Sequence, residues 1–296
     1  MAITISQLNL RASLRFLLAT ILTIAWIAVS AQFPDFSPGG IPIGVSLIVL
    51  CNGILLFGLW RGLARADFPA AERATMWLAL GLPLALWIAL IWGLAVHGTF
   101  GPMPGTTRIV PALPLAIFLP VILGTGLLCN SKRIGALLDA TPPSWLIGLQ
   151  VYRVLGAVFL VDWAQGRMPG AFAIPAGIGD VAVGLLALPT ALWVSSGRTI
   201  GRNAGVWWNM LGLADLAVAI AMGMMTFPGR FQLLALDHPN AQIGTFPTVM
   251  IPAFAVPNSI LLHALSLRQL RRLGKTASRV NAIEQAGLLE RVPESA

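Results

Sequence analysis

Charge is scarce in this sequence. Of 296 residues only 10% are Asp, Glu, Lys or Arg, against about 25% in a soluble globular domain, which excludes an ordinary water-soluble fold. The mean hydropathy of +0.81 points the same way. Cysteine is nearly missing: Cys51 and Cys129 both lie inside apolar runs, which leaves neither a disulfide framework nor a zinc site. Lysine occurs twice, at Lys132 and Lys275, outside every apolar run, so no amine is placed to form a retinal Schiff base. The three histidines, His97, His238 and His263, fall at different depths or in a loop, which argues against a bis-histidine haem. Walker, HExxH and GxSxG motifs are missing, and no paired-acid metal site stands in the loops. No cofactor and no metal are expected.

What the chain has instead is hydrophobic length. A transmembrane helix needs about 20 mainly apolar residues, and eight segments qualify: 16–32, 41–60, 76–96, 109–129, 145–163, 177–195, 204–226 and 247–267. The 21 prolines and 30 glycines fall between and within these runs, as membrane helices tolerate. The expected fold is an all-α polytopic membrane bundle: a single transmembrane domain, 1–267, followed by a basic tail, 268–296.

The cations then orient it. Fifteen of the 19 Lys and Arg residues lie on one side of the spans, including Arg61, Arg65, Lys132, Arg133, Arg198 and Arg202, with Arg268 to Arg291 of the tail. Three lie on the other, Arg108, Arg167 and Arg230, and Arg153 falls inside a span. The positive-inside rule puts both termini in the cytoplasm of a multi-pass protein of the cell (inner) membrane. The net charge of +8 therefore encodes topology, and nucleic acid is not an expected partner. The expected partners are the lipid bilayer and, for the tail segment LRQLRRLGKTASR, anionic lipids. Val29-Ser30-Ala31 would satisfy a signal-cleavage pattern; an uncleaved first span is favoured because the run is long enough to cross. Ala31-Gln32 and Ile41-Pro42-x-Gly44 recur 133 positions later as Ala164-Gln165 and Ile174-Pro175-x-Gly177, a pattern that suggests two tandem four-helix repeats.

Polarity is uneven between the halves. Spans 1–4 carry no charged side chain in their interiors, whereas spans 5–8 carry Gln150, Arg153, Asp162, Asp180, Asn209, Asp215, Asn258, Ser259 and His263. At about 1.5 Å per residue, these sort into three depths. Asp162 and Asp180 come near the outer surface, Arg153, Asp215 and Asn258 near the midplane, and Gln150, Asn209 and His263 in the cytoplasmic third. A charge at the bilayer centre costs at least about 2.5–3.5 kcal/mol and seeks a partner, so Arg153 is expected to pair with Asp215. Pro252 and Pro257 predict a distorted last span, with Ser259 and His263 on one face at i, i+4.

Gly177-Ile178-Gly179-Asp180, with Asp162 one span earlier and Pro252-Ala253-Phe254 in the last span, resembles the intramembrane aspartyl proteases of the presenilin and signal peptide peptidase group. The resemblance implies that Asp162 and Asp180 share a proton as a catalytic pair. Val161 stands where that group has tyrosine. A competing expectation makes FAIPAGIGD an entry turn, with Asp180 within the first turn of its helix, serving the free N–H groups there.

The leading expectation is a small-solute or proton-linked transporter, with a polar path through spans 5–8 for a small polar or anionic solute. A protease-like hydrolase is one alternative and a non-catalytic membrane scaffold or partner subunit another. An enzyme is the less favoured class.

Overall fold

The structure is a computed structural model that describes residues 5–102 and 112–289. Arg108, the first residues of the expected span 109–129 and the tail beyond 289 lie outside the described residues. With no water in the hydrocarbon to satisfy backbone N–H and C=O groups, apolar runs of this length close their hydrogen bonds internally, and they are helices here. In order they are α1 (Ile5–Gln32), α2 (Ile43–Arg65), α3 (Ala70–Val96) and α4 (Ala112–Asn130). After a short α5 (Lys132–Ala140), the second half holds α6 (Ser144–Leu149), α7 (Ala157–Ala164), α8 (Gly170–Ser195), α9 (Thr199–Thr226) and α10 (Val256–Leu289). The protein is an all-α, multi-pass membrane bundle. Among the described residues, seven helical stretches are long and apolar enough to cross a membrane, Ser144–Ala164 counting as one. The eighth expected span is differently built: a π-helical turn, Ile251–Ala255, leads into α10.

Two elements depart from the sequence expectation in ways that shape the interior. The span over 145–163 is not one α-helix. Between α6 and α7 lies a 3-10 stretch, Gln150–Gly156, in which side chains three apart eclipse one another. Gln150, Arg153 and Gly156 therefore stack on one face, and all three are buried. Opposite them α8 comes so close that a Cβ on Gly184 would stand 2.6 Å from the Val154 nitrogen.

The second departure is α8 itself. FAIPAGIGD is not an entry turn. Pro169 is the N-cap residue, its carbonyl accepts from Phe172 and Ala173, and the helix runs through Pro175 without a break. Asp180 is thus ten residues inside α8 (170 to 180), about 15 Å from that end. The expected positions near the outer surface and in the first turn are corrected accordingly.

The two ends of the bundle differ. At the basic end, Arg268 of α10 donates to the Leu128 and Ser131 carbonyls at 2.6 and 2.7 Å, closing the C-terminus of α4. Gln269 donates to the carbonyls of Leu138 and Thr141, and Arg272 pairs with Asp139. α10 passes the expected 267/268 boundary as one helix, and these residues of the basic segment clamp α4 and α5. At the far end, the loop after α7 is tied to Asp162, and Gln165 donates to the Ala31 carbonyl, so the two copies of the Ala-Gln motif meet. α1 lies against α7 and α8, with Trp26 Nε1 donating to the Leu155 carbonyl at 2.8 Å.

Candidate functional site: a buried charge network under an apolar cavity

Arg153, Asp180 and Asp215 stand at matched depth. Counted from the far end they are eleven residues along α7 and the 3-10 stretch (164 to 153), ten along α8 and eleven along α9 (226 to 215). The expected pairing of Arg153 with Asp215 is present: Nη2 donates to Asp215 Oδ2. Asp180, placed elsewhere by the sequence, is the second partner. Arg153 Nε donates to its Oδ1 at 2.8 Å, and Nη2 lies 2.6 Å from the same atom. Nη1 faces the Gly212 carbonyl at 3.3 Å and His263 Nε2 at 3.4 Å. Every nitrogen of a guanidinium only 3% exposed is thereby engaged.

The chain of contacts continues toward the basic end. Asn209 Oδ1 can only accept, so His263 Nδ1 must donate to it, at 2.9 Å. That leaves His263 Nε2 as the acceptor facing Arg153. Asn209 Nδ2 in turn donates to Ser266 Oγ at 3.0 Å and to the Gly205 carbonyl at 2.7 Å. Trp208 packs its ring 4.9 Å from that of His263 and donates to the Val183 carbonyl. His263 and Asn209 are both fully buried. Three separate depths were expected; five of the groups assigned to them, Asp180 included, form one connected network.

Glycines make the network possible. A Cβ on Gly156 would collide with Asp180, one on Gly179 with Asp215, and one on Gly212 with His263. A Cβ on Gly177 would stand 2.7 Å from Leu160 Cγ. The two glycines of the GxGD motif thus admit Leu160 and Asp215 against α8, the close approach that small residues provide between membrane helices.

The remaining expected residues separate from this group. Asp162 is buried and serves the far-end loop. Its Oδ1 accepts from Arg167 Nε at 3.0 Å and its Oδ2 from Gln242 Nε2 at 2.9 Å. Asp162 and Asp180 therefore do not form the expected pair, for each has its own arginine. Asn258 is not beside Arg153 either: it donates to the Phe254 carbonyl at 2.9 Å and lines a small cleft with Asn52 and Tyr152. Ser259 and His263 share a helix, yet Ser259 meets Tyr152 (Oγ to Oη 2.5 Å), and its carbonyl accepts from Gln150 at 3.2 Å. Sequence reasoning missed Tyr152, Trp208 and Ser266. The signal that could have found the site was the density of glycines on the helices that hold the charges.

Above the network a cavity of about 550 Å³ opens toward the far end. It runs from the Thr99–Pro102 turn and the Phe227–Phe231 segment down to Leu216, Val256 and Asp180. Its walls are largely apolar, with Phe100, Phe159, Phe172 and Phe227 among them. Among the described residues lining it, Asp180 is the one acid and Arg230 the one base. The volume is in the range of small-molecule sites, about 300–1,000 Å³. Asp180 thus joins the cavity floor to the buried network.

No solved structure matches this chain. It is 30% identical over 166 residues to the apolipoprotein N-acyltransferase of Shewanella oneidensis, a match covering 49% of this chain and 31% of that protein. The chain accordingly spans less than a third of the length of that relative. Residues 110–271, which contain every member of the network, match the family model described as Domain of unknown function (DUF8737), and the chain belongs to that family.

Proposed function

We propose that the protein is a proton-linked carrier of a small solute, with the far-end cavity as its solute site. One observation carries this reading. Asp180 lines the cavity and also begins an unbroken chain of polar contacts through Arg153, His263 and Asn209 to Ser266. Ionisable groups inside a membrane protein are costly to keep and concentrate on ion, proton and substrate pathways. A connected chain that ends at a cavity of small-molecule size provides both a binding place and a proton acceptor. The observation favours a carrier over a protease-like hydrolase, since the carboxylates that share a cation, Asp180 and Asp215, differ from the pair the protease resemblance implies.

Reconstitution tests the reading. Proteoliposomes holding the purified full chain and a pH-sensitive dye inside are expected to show solute-dependent proton movement that Asp180→Asn and Asp215→Asn both abolish. Movement unchanged by either substitution, in protein that still elutes as a folded species, would sink the carrier and leave a scaffold role for the network. The relative's printed name supports a second reading, in which the apolar cavity receives the acyl part of a lipid. Acyl-chain release or transfer by the same proteoliposomes is the result that would favour it.

A further inference from the structure

The cavity and the charge network together specify the sign and shape of what binds. We propose that the cavity receives a lipophilic monocation, a hydrophobic body bearing one positive charge, whose charge rests against Asp180. The proposal builds on the carrier reading and names its solute class.

Charge at the cavity floor comes first. Arg153 supplies one positive charge, whereas Asp180 and Asp215 together supply two negative charges when ionised. The cluster is then one charge short of neutral in a low-dielectric setting, where an uncompensated charge is expensive. The guanidinium offers nothing to an anionic solute, because Nε, Nη1 and Nη2 are all engaged and Arg153 does not line the cavity. Asp180 Oδ1 takes both arginine contacts to that residue, while Asp180 itself lines the cavity. A cation reaching it completes the balance; an anion there would deepen the imbalance. The proposed ligand thus differs in sign and polarity from the small polar or anionic solute expected from the sequence.

The walls agree with that sign. Phe100, Phe159, Phe172 and Phe227 line the same cavity as Asp180, and aromatic faces attract cations. The Phe159 and Phe172 rings hold each other edge to face with centroids 5.2 Å apart, so the aromatic lining beside α8 is packed in place. Arg230, the one cation among the described lining residues, is exposed in the loop that follows the end of α9 at Thr226, where solvent and salt screen it. Apolar bulk fills the walls while a single carboxylate orients the ligand, the usual division of labour in a small-molecule site.

Tetraphenylphosphonium is the probe, with tetraphenylborate as its anionic isostere. Binding is measured by equilibrium dialysis against the full chain in phosphatidylcholine nanodiscs, with empty nanodiscs subtracted. The expected result is saturable tetraphenylphosphonium binding near one per chain, and no saturable binding of the borate. Asp180→Asn should weaken the phosphonium at least tenfold. Because Asp180 also holds Arg153, a second variant guards against simple misfolding. Gly223→Leu adds bulk on the cavity wall, where a Cβ would meet Phe172 at an ordinary 3.6 Å, and leaves the charge network intact. It should weaken binding comparably, whereas Arg230→Gln should not weaken it. Equal binding of both isosteres, or phosphonium binding unaffected by both Asp180→Asn and Gly223→Leu, overturns the proposal. Phosphonium binding without proton movement would end the carrier reading while keeping the ligand class, and proton movement without phosphonium binding would do the reverse.

Discussion

Replacing Arg153 with glutamine removes the one cation shared by two intramembrane carboxylates, and the structure lets the cost be ranked against its partners. In the wild-type chain Nη2 bridges Asp180 and Asp215, and Nε adds a second bond to Asp180. Breaking a buried pair by deleting one partner costs about 3–5 kcal/mol, because a charge is left buried and uncompensated. Here two like charges are left, so Arg153→Gln belongs at the upper end. Asp215→Asn leaves the Arg153–Asp180 pair intact and neutral, and forfeits one charge-assisted hydrogen bond, about 1.5–3 kcal/mol. The expected gap between these variants is about 2 kcal/mol, or roughly thirtyfold in an equilibrium constant. Neutralising all three residues together, with Asp180→Asn and Asp215→Asn added to Arg153→Gln, should recover at least half of the loss. The assay is reversible unfolding in mixed micelles by titration with sodium dodecyl sulfate, followed by the fluorescence of the ten tryptophans. The reasoning fails if Arg153→Gln is no worse than Asp215→Asn, or if the triple variant is less stable than Arg153→Gln. Exchanging Arg153 and Asp215 is a poor substitute for this experiment. Arg153→Asp would set a new carboxylate against Asp180, so the exchange should stay destabilised although the pair exists.

Two further outcomes are expected. Gly179→Ala forces a methyl into Asp215, whereas Gly53→Ala meets nothing within 4 Å. The first should cost about 1–3 kcal/mol, as overpacking does, and the second close to nothing in the same unfolding assay. At the basic end, the hydrogen bond from Arg272 holds the Asp139 carboxyl below the usual carboxylate range. A lowered pKa in the folded state means that the pair's contribution is present above the ordinary carboxylate pKa and is lost as pH falls through the lowered value. With both side chains more than two-fifths exposed, the effect is small and screened by salt. Asp139→Asn should flatten the acid limb of the stability profile below about pH 4, and an unchanged acid limb would count against the pair.

The one-dimensional pattern was sufficient for the membrane class. Runs of twenty apolar residues admit no other backbone than helix in a bilayer, and the side-by-side contacts of Arg268 and Arg272 with α4 and α5 agree with grouping those cations at one end. The need of Arg153 for a carboxylate was equally legible, because an isolated charge at that depth is untenable. Which carboxylates it takes was not legible. Asp180 was misplaced because Pro175 and the glycines after it look like an entry bend in sequence, and only the packed chain runs α8 straight through them. The 3-10 turn that stacks Gln150, Arg153 and Gly156 on one face also leaves no mark in an apolar run. Composition and charge order decided that this chain crosses a membrane and which end is basic, since those are one-dimensional costs paid residue by residue. Tertiary structure alone decided that Asp180 joins Arg153, that Asp162 does not, and that an aromatic cavity ends on Asp180, because these depend on how closely glycine lets neighbouring helices approach.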